Sequence, residues 1–251
     1  MDYLNLIVPV CMAFYEISSY IYNKYKSKKD PIIIAIEANI GVGKTTLLDI
    51  LRESIKIGKK AAFVSEPVDI WLKMQDENGK NILGKFYEDK KRWAYSLQNL
   101  SYITKARRLA DTIMSSGKKI IFSDRSIGTD KNVFAKMLFD DGDLNKLEYS
   151  MYILWSDFYD KYFAKTNKKN IIYLKCDPNK AMERIQKRGR QEEKTIPFAY
   201  LNRLHEYHEQ WIGSEIKKGT HVLVLDWNDD LTNEQILKNI NNKINKFIAD
   251  C

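Results

Sequence analysis

A continuous apolar segment leads directly into a glycine-containing loop near the start of the chain, and this feature constrains the fold most. The segment reads Ile-Ile-Ile-Ala-Ile-Glu over residues 32–37, then Ala-Asn-Ile-Gly-Val-Gly-Lys-Thr-Thr over residues 38–46. This order is typical of a buried parallel strand, a phosphate-binding loop and the helix that follows it. Gly43 lets the backbone approach a phosphate, Lys44 reaches the outer phosphates, and the Thr45 hydroxyl can hold magnesium. Ala38 stands where the strict pattern begins with glycine.

The composition permits one large domain and argues against a nucleic-acid-binding protein. The 251 residues are 44% hydrophobic, which allows a substantial core. The net charge is +8, but the 32 lysines are scattered, and no compact basic stripe with interleaved aromatic residues is present. A solvated lysine-rich surface is therefore the preferred interpretation.

Residues 1–30 are predicted to form an N-terminal extension that combines an apolar part with a basic cluster. The apolar part is too short to span a bilayer, and the extension lacks the features of a secretory signal or a mitochondrial transit peptide. A solvated linker is favoured over a segment lying on a membrane surface. Three widely spaced cysteines indicate a reducing compartment. We expect a cytoplasmic protein, with the mitochondrion as the alternative.

From Pro31 onward, short apolar runs alternate with long helical patterns, as in a doubly wound parallel α/β fold. The predicted strands cover residues 32–37, 61–65, 119–123, 170–176 and 221–226. The predicted helices cover residues 44–57, 84–116, 131–139, 145–163, 178–187, 197–217 and 233–249.

Reactive side chains are predicted at the carboxyl ends of these strands, where ligands of open parallel sheets bind. Glu66 follows the second strand, Asp124-Arg125 follows the third, and Arg184, Arg188 and Arg190 lie on the helix after the fourth. Phosphoryl transfer requires a carboxylate that accepts the proton of a hydroxyl, an acid that binds metal, and fixed positive charge. The sequence therefore predicts a phosphoryl-transfer site.

With these motifs in order, the chain resembles the deoxynucleoside kinase family over about residues 31–247. The resemblance is carried by the residues 37–46 of the phosphate loop, Glu66-Pro67-Val68 with Trp71, Tyr87, Arg92-Trp93, Gln98, Asp124-Arg125-Ser126, the segment 188–193 and the segment 225–230. It implies a P-loop kinase with a five-stranded parallel sheet flanked by helices and an arginine-rich lid, and a kinase domain over residues 31–251. The implied reaction is ATP-dependent 5′-phosphorylation of deoxynucleosides, with Mg²⁺ as cofactor and no nucleic-acid partner.

The resemblance also implies roles for individual residues. Glu66 would be the general base, with Arg125 beside it and Lys44 on the transferred phosphate. ATP would be bound by Asn39, Ile40, Gly41, Val42, Gly43, Lys44, Thr45, Thr46, Arg184, Arg188, Arg190, Asp229 and Asp230. The nucleoside would be bound by Glu66, Trp71, Tyr87, Gln98, Lys105, Arg125, Asp130, Phe134 and Glu193. The magnesium ligands would be Thr45 and Asp124.

Three departures from the family pattern bear on the substrate. Asp124 and Gly128 stand where glutamate and a bulkier residue are usual, and Gly128 is expected to loosen one wall of the site. Lys105 replaces arginine beside Asp130. A charged pair at these positions favours deoxycytidine or purine deoxynucleosides over thymidine, and lysine lacks the bidentate fork of arginine.

Two other functions remain as alternatives. A nucleoside monophosphate kinase of the thymidylate type shares the loop, an Asp-Arg motif and a lid, but Glu66 would repel its charged acceptor. A noncatalytic, structural member of the same superfamily would not need the reactive residues. The resemblance further implies a homodimer, for which the aromatic-rich helix that starts near Asn145 is the candidate contact.

Overall fold

The computed structural model describes residues 31–54, 57–162, 170–190, 193, 196–229 and 234–251 of the protein. The predictions made for the extension 1–30, for Asp230, and for lid residues 191 and 192 fall outside this part. Within it, no helix is both long and apolar enough to cross a membrane.

A single sheet of five parallel strands organises the described part of the chain, as predicted. The strands are β1 (Ile32–Glu37), β2 (Ala61–Val64), β3 (Ile120–Asp124), β4 (Asn170–Lys175) and β5 (His221–Asp226). Their spatial order is β2-β3-β1-β4-β5, so the strand that precedes the phosphate loop lies at the centre. All neighbours pair in parallel, which brings the carboxyl ends of the five strands to one edge.

Helices cover both faces of this sheet. They are α1 (Lys44–Glu53), α2 (Val68–Lys73), α3 (Ile82–Glu88), α4 (Lys90–Ser116), α5 (Ile127–Thr129), α6 (Lys136–Asp140), α7 (Lys146–Tyr162), α8 (Pro178–Arg188), α9 (Phe198–Lys217) and α10 (Glu234–Ala249). A π-helical turn, Asp130–Ala135, joins α5 to α6.

Alternate residues of the central strands belong to two apolar clusters. Ile172 and Leu174 pack with Leu47, Phe122 and other residues of one cluster. Ile171 and Tyr173 pack with Leu204 and its neighbours in a second cluster. Because successive strand residues point to opposite faces, both faces of the sheet are buried. This explains why the strands are continuous apolar runs in the sequence.

Three helix predictions were wrong in their boundaries. The predicted helix 84–116 is two helices separated at Asp89, whose side chain caps α4 by accepting the Arg92 N–H at 3.1 Å. The predicted helix 131–139 is instead the π-turn followed by α6, and the predicted helix 44–57 ends at Glu53. Helix α2 was not predicted. A capping aspartate and a π-turn are set by local hydrogen bonds that hydrophobic periodicity does not reveal.

Candidate active site

The phosphate loop follows β1 and turns into α1, as its sequence predicts. Gly41 and Gly43 have φ values of +79° and +110°. Residues other than glycine rarely adopt this backbone conformation. A Cβ atom on Gly41 would lie 2.4 Å from the Ile185 side chain. Ala38 is fully buried, so the departure at this position is accommodated by packing. Helix α1 has no acidic residue in its first turn, which leaves its N-terminus suited to an anion.

Lys44 lies at the floor of this loop and is buried. Its Nζ donates to the Asn39 carbonyl at 3.4 Å and lies 3.9 Å from Asp124 Oδ1. Burial, together with the charge of Arg125, lowers the pKa of Lys44 to about 8, although Asp124 and Glu66 oppose this shift. The ammonium group that should meet the phosphates therefore loses its proton at an unusually low pH.

This pKa predicts that ATP binding to the free protein weakens as the pH rises above 8. The charged form of Lys44 is the form that attracts phosphate, so ATP binding must take up a proton once the amine is neutral. We expect the ATP dissociation constant to rise about tenfold between pH 7 and pH 9. Equilibrium binding across this range measures it. The Lys44→Arg variant, whose guanidinium stays charged, should show a flat profile; an equally flat profile in the unmodified protein would contradict the prediction.

Glu66 lies just beyond β2 and is held by two cations. Arg125 Nη1 donates to both carboxylate oxygens at 2.8 Å, and Lys105 Nζ lies 3.1 Å from Oε1. Burial alone would raise the pKa of Glu66, but Arg125, Lys105 and Lys44 outweigh it and hold that pKa far below its usual range. The carboxylate is therefore ionised and in a fixed orientation. It can accept a proton.

Asp124 ends β3 beside the phosphate loop. Its Oδ1 is buried and accepts no hydrogen bond, and both Asp124 and Thr45 line the same cavity. Thr45 itself is exposed at the start of α1. Two oxygen ligands, one of them an unsatisfied carboxylate oxygen, fit the preference of Mg²⁺ for a small number of protein carboxylates beside substrate phosphates.

A cavity of about 270 Å³ lies between these groups and helix α4. All nine predicted nucleoside-binding residues line it, as do Ile40, Gly41, Lys44, Thr45, Arg188 and Arg190 of the predicted ATP-binding set. Phe134 lies beneath the Arg125 guanidinium at 5.2 Å, and Trp71 is fixed by a 3.0 Å hydrogen bond from Nε1 to Thr104 Oγ1. The π-turn Asp130–Ala135 carries both Asp130 and Phe134 to the cavity.

Gln98 and Asp130 line this cavity, and each has a buried acceptor atom without a hydrogen-bond partner. Asp130 Oδ1 accepts from Lys105 Nζ at 2.7 Å and from Ser101 Oγ at 3.4 Å, whereas its Oδ2 is buried and has no hydrogen-bond partner. Gln98 Oε1 is also buried without a hydrogen-bond partner. Unsatisfied buried acceptors are costly, so a ligand that donates hydrogen bonds here would relieve that cost.

The two lid arginines contact one carboxylate. Arg188 donates to Glu193 Oε2, and Arg190 Nη1 donates to Glu193 Oε1 at 2.7 Å. Tyr87 faces the same group, and burial together with Glu193 raises the pKa of its hydroxyl. Tyr87 therefore stays protonated and can donate a hydrogen bond. The structure thus brings together the groups predicted for the sugar and for the donor phosphates.

Arg184, which the resemblance assigns to ATP binding, lies against the phosphate loop. Its guanidinium donates to the carbonyls of Val42, Trp227, Asn228 and Asp229 at 3.0, 2.9, 3.4 and 3.2 Å, and it does not line the cavity. It joins the phosphate loop to the segment after β5. Asp229 meets Arg184 through its backbone carbonyl, and the remaining predicted ATP-binding residues Asn39, Val42, Gly43 and Thr46 also lie outside the cavity lining.

The expectation for Gly128 was wrong. A Cβ atom at this position would lie 3.0 Å from the Trp211 ring, so Trp211 already occupies the adjacent space. The smaller residue is compensated by a large neighbour from α9, and Gly128 is not part of the cavity lining.

Sequence reasoning missed several residues that shape the site. Tyr200 lines the cavity, and Arg108 donates to the Glu66 carbonyl at 3.3 Å and to both carboxylate oxygens of Asp69. Glu37 contacts the Asp-Arg-Ser turn from the end of β1. Only Glu37 gave a signal in the sequence, because it is a charged residue in an otherwise apolar strand.

Comparison with known proteins identifies relatives of this arrangement. The family model described as deoxynucleoside kinase matches residues 34–249. The mitochondrial deoxyguanosine kinase of Xenopus laevis is 30% identical over 239 residues, which are 86% of this chain and 89% of that protein. Deoxycytidine kinase 2 of Gallus gallus is 32% identical, covering 81% and 84%. A probable deoxycytidine kinase of fowlpox virus (strain NVSL) is 35% identical, covering 78% of each chain.

Proposed function

The chain belongs to the deoxynucleoside kinase family, and from this premise we propose that it transfers the γ-phosphate of ATP to the 5′-hydroxyl of a deoxynucleoside. The hydroxyl oxygen forms a bond to the γ-phosphorus, the bond to the β–γ bridging oxygen breaks, and ADP leaves. Glu66 accepts the hydroxyl proton. Lys44, Arg188 and Arg190 offset the charge of the transferred group.

The observation that carries this proposal is the position of Glu66. It shares one cavity with Lys44 and Thr45, and the two nearby cations, Arg125 and Lys105, already contact its carboxylate. An acceptor phosphate would find these cations neutralised and would be repelled by Glu66. An uncharged hydroxyl has no such cost. The geometry therefore favours a nucleoside over a nucleoside monophosphate as acceptor.

The same residues argue against a structural, noncatalytic role. A scaffold would have no use for a buried carboxylate held by an arginine and a lysine, nor for an unsatisfied Asp124 oxygen beside a phosphate loop. Polar groups of this kind cost stability when a ligand does not use them.

We propose deoxycytidine or a purine deoxynucleoside as the substrate. Asp130 Oδ2 and Gln98 Oε1 are buried acceptors without hydrogen-bond partners. The exocyclic amine of cytosine or adenine, or the N–H groups of guanine, can donate to them. The O4 atom of thymine is itself an acceptor and would be repelled, and this kind of mismatch discriminates strongly between bases. The relatives include a deoxyguanosine kinase and a deoxycytidine kinase by name, which is consistent with this choice.

For the sugar, we propose that Tyr87 and Glu193 bind the 3′-hydroxyl. The Tyr87 hydroxyl remains a donor, and Glu193 lies buried beside it with its carboxylate held by the lid arginines. A sugar hydroxyl could donate to Glu193 and accept from Tyr87. Donor phosphates would draw Arg188 and Arg190 away from Glu193, which links closure of the lid to sugar binding.

We propose that Mg²⁺ accompanies ATP, with Thr45 and Asp124 as its protein ligands. When bound, the ion neutralises charge on the β- and γ-phosphates. The support is the unsatisfied Asp124 oxygen and its place in the cavity with Thr45. The residues of the chain supply the remaining positive charge through Lys44 and the lid.

We propose that two copies associate through helix α7. Leu147, Leu154 and Trp155 are 70%, 72% and 61% exposed and lie on one helical face with Met151 and Phe158. Ile103 of the adjacent α4 is 62% exposed. An apolar patch of this kind is unusual on a monomer, and in a two-fold dimer the same patch of both copies would meet.

The Trp155→Glu variant should therefore sediment as a monomer at concentrations at which the unmodified protein is a dimer. The charge would be buried without a partner at the centre of the interface, which opposes association. Analytical ultracentrifugation measures this. The matched control is Ile216→Glu, at a half-exposed apolar position on α9. A monomeric unmodified protein would contradict the proposal.

For the cellular location, we propose the cytoplasm. The chain has only three cysteines, widely spaced along the sequence, a pattern that suits a reducing compartment.

The proposed reaction is tested with labelled ATP, Mg²⁺ and the four deoxynucleosides as acceptors, followed by the corresponding monophosphates. We expect a monophosphate product from deoxycytidine or a purine deoxynucleoside and at least tenfold lower kcat/KM for thymidine, about the effect of one unsatisfied buried polar group. Absence of product from every nucleoside would refute the proposal, and product from a monophosphate alone would support the rival kinase class.

A further inference from the structure

Glu37 is a buried carboxylate that lies under the site without lining it. It is the last residue of β1, fully buried, and absent from the cavity wall. Its Oε1 accepts the Ser126 backbone N–H at 2.9 Å, and its Oε2 accepts the Thr129 hydroxyl. Both donors belong to the turn after β3, about 90 residues away along the chain. The one charged side chain of β1 therefore accepts hydrogen bonds from a neighbouring turn.

That turn contains the most constrained backbone of the site. Arg125 has a φ of +64°, and in the described part of the chain it is the only residue other than glycine with a positive φ. For a residue with a Cβ atom this left-handed conformation costs conformational free energy and persists only where neighbouring contacts enforce it. The Arg125 N–H donates to the Ile36 carbonyl at 3.0 Å, and the next N–H, from Ser126, donates to Glu37. The end of β1 thus holds the turn on both sides of the strained residue.

The left-handed conformation determines where the Arg125 side chain points. Its guanidinium reaches Glu66 with 2.8 Å contacts to both carboxylate oxygens and lies over Phe134. If the turn relaxed to an ordinary backbone conformation, Cβ of Arg125 would project differently and these contacts would be lost. The orientation of the proposed base therefore depends on the conformation of a turn that Glu37 anchors.

We propose that Glu37 is a positioning residue, whose buried carboxylate holds the Asp124-Arg125-Ser126 turn so that Arg125 fixes Glu66 for proton transfer. The residue after Glu37 begins the phosphate loop. Glu37 is therefore joined to the phosphate loop through its backbone, and it contacts the Asp124-Arg125-Ser126 turn through its side chain. This inference rests on the proposed kinase reaction and adds a residue that touches neither substrate.

The test is a mutant cycle in the full chain, with kcat measured on the best deoxynucleoside substrate. Glu37→Asp keeps the charge but is one methylene shorter and cannot reach both donors. We expect kcat to fall about 10²-fold, as for a misplacement of roughly 1 Å at a catalytic group, with the nucleoside KM changed less than about threefold. Glu37→Gln should retain most of kcat, because its amide oxygen can accept from Ser126 and its amide N–H can donate to the Thr129 hydroxyl.

The decisive comparison is the effect of Glu37→Asp in an Arg125→Gln background. If Glu37 acts through Arg125, the substitution should lower kcat less than about twofold there, because residues that act as one unit are not additive. The inference would be overturned if Glu37→Asp lowered kcat by the same factor in the unmodified protein and in the Arg125→Gln variant. An unchanged kcat in Glu37→Asp itself would also overturn it. If Glu37→Asp does not fold, Thr129→Val replaces it in the same cycle, with a smaller expected loss and the same criterion.

Glu215→Asp is the matched control. Glu215 is also buried and anchors a turn, accepting from Thr220 Oγ1 at 2.8 Å and Lys218 Nζ at 3.0 Å, but it lies outside the cavity. It should lower the melting temperature without lowering kcat. A comparable loss of kcat in the control would show that both substitutions act through general stability and would also overturn the inference. An inactive unmodified protein would instead refute the proposed function.

Discussion

The Glu66→Gln variant is expected to lose between about 10² and 10⁴ of the kcat of the unmodified enzyme, the usual contribution of a general base. Glutamine has nearly the same volume and can still accept a hydrogen bond, but it cannot take a proton from the 5′-hydroxyl. Nucleoside binding should change little, because the walls formed by Trp71 and Phe134 remain. Steady-state kinetics gives kcat, and Trp71 in the cavity wall provides a fluorescence signal for binding.

The low pKa of Glu66 is compatible with this role. Burial opposes ionisation, yet Arg125, Lys105 and Lys44 keep the carboxylate charged, and such a carboxylate is a weak base. In a loose phosphoryl-transfer transition state the hydroxyl becomes acidic as its bond to phosphorus forms, so a weak but well-placed base suffices. Position then matters more than basicity.

Glu209→Gln is the matched control for this prediction. Glu209 accepts from the Tyr173 hydroxyl at 2.7 Å and the Lys175 ammonium at 2.5 Å and does not line the cavity. Its substitution should leave kcat unchanged. Full turnover by Glu66→Gln would exclude Glu66 as the base. Loss of nucleoside binding together with kcat would show that the two unpaired cations had disturbed the site instead.

The Asp130→Asn variant is expected to shift the base preference toward thymidine. Lys105 Nζ donates to Asp130 Oδ1 at 2.7 Å, so an asparagine would place its amide oxygen there and turn its NH₂ group toward the position of Oδ2. The acceptor at the position of Oδ2 would thereby become a donor. The amine of cytosine or adenine would then face another hydrogen-bond donor, whereas thymine O4 would gain a donor as its partner.

We expect kcat/KM for the amino-bearing substrate to fall by about tenfold to a hundredfold, the cost of one or two unsatisfied buried groups, and that for thymidine to rise. Competition between the two nucleosides measures the ratio directly. Asp140→Asn is the control, since Asp140 lies on α6 and contacts Lys136 and Tyr207 rather than the cavity. An unchanged ratio in Asp130→Asn would show that Asp130 does not read the base.

Most of the site could be predicted because its residues occur in short segments with strong local rules. The loop 38–46 combines glycines, lysine and threonine in an order that serves phosphate. Glu66, Asp124 and Arg125 follow apolar runs, and the ends of parallel strands meet at one edge. The family resemblance named the nine nucleoside-binding residues, and all of them line one cavity.

The errors have a common origin in contacts between distant segments or in local hydrogen bonds. Gly128 was expected to leave space, but Trp211, 83 positions later in the chain, fills it. The break at Asp89 follows from a cap on α4. Hydrophobic periodicity carries no information on any of these partners.

The sequence by itself determined the parallel sheet, the phosphate loop and the set of groups at the strand ends. These follow from burial on both faces of the sheet and from backbone conformations that only glycine adopts easily. Only the tertiary structure decided the protonation states of those groups and the orientation of their side chains. Arg125, Lys105 and Asp130 form one ion-pair network around Glu66, and Glu37 anchors the turn that directs it. Such contacts depend on distances of a few ångströms between residues far apart in the chain, which pattern and spacing do not specify.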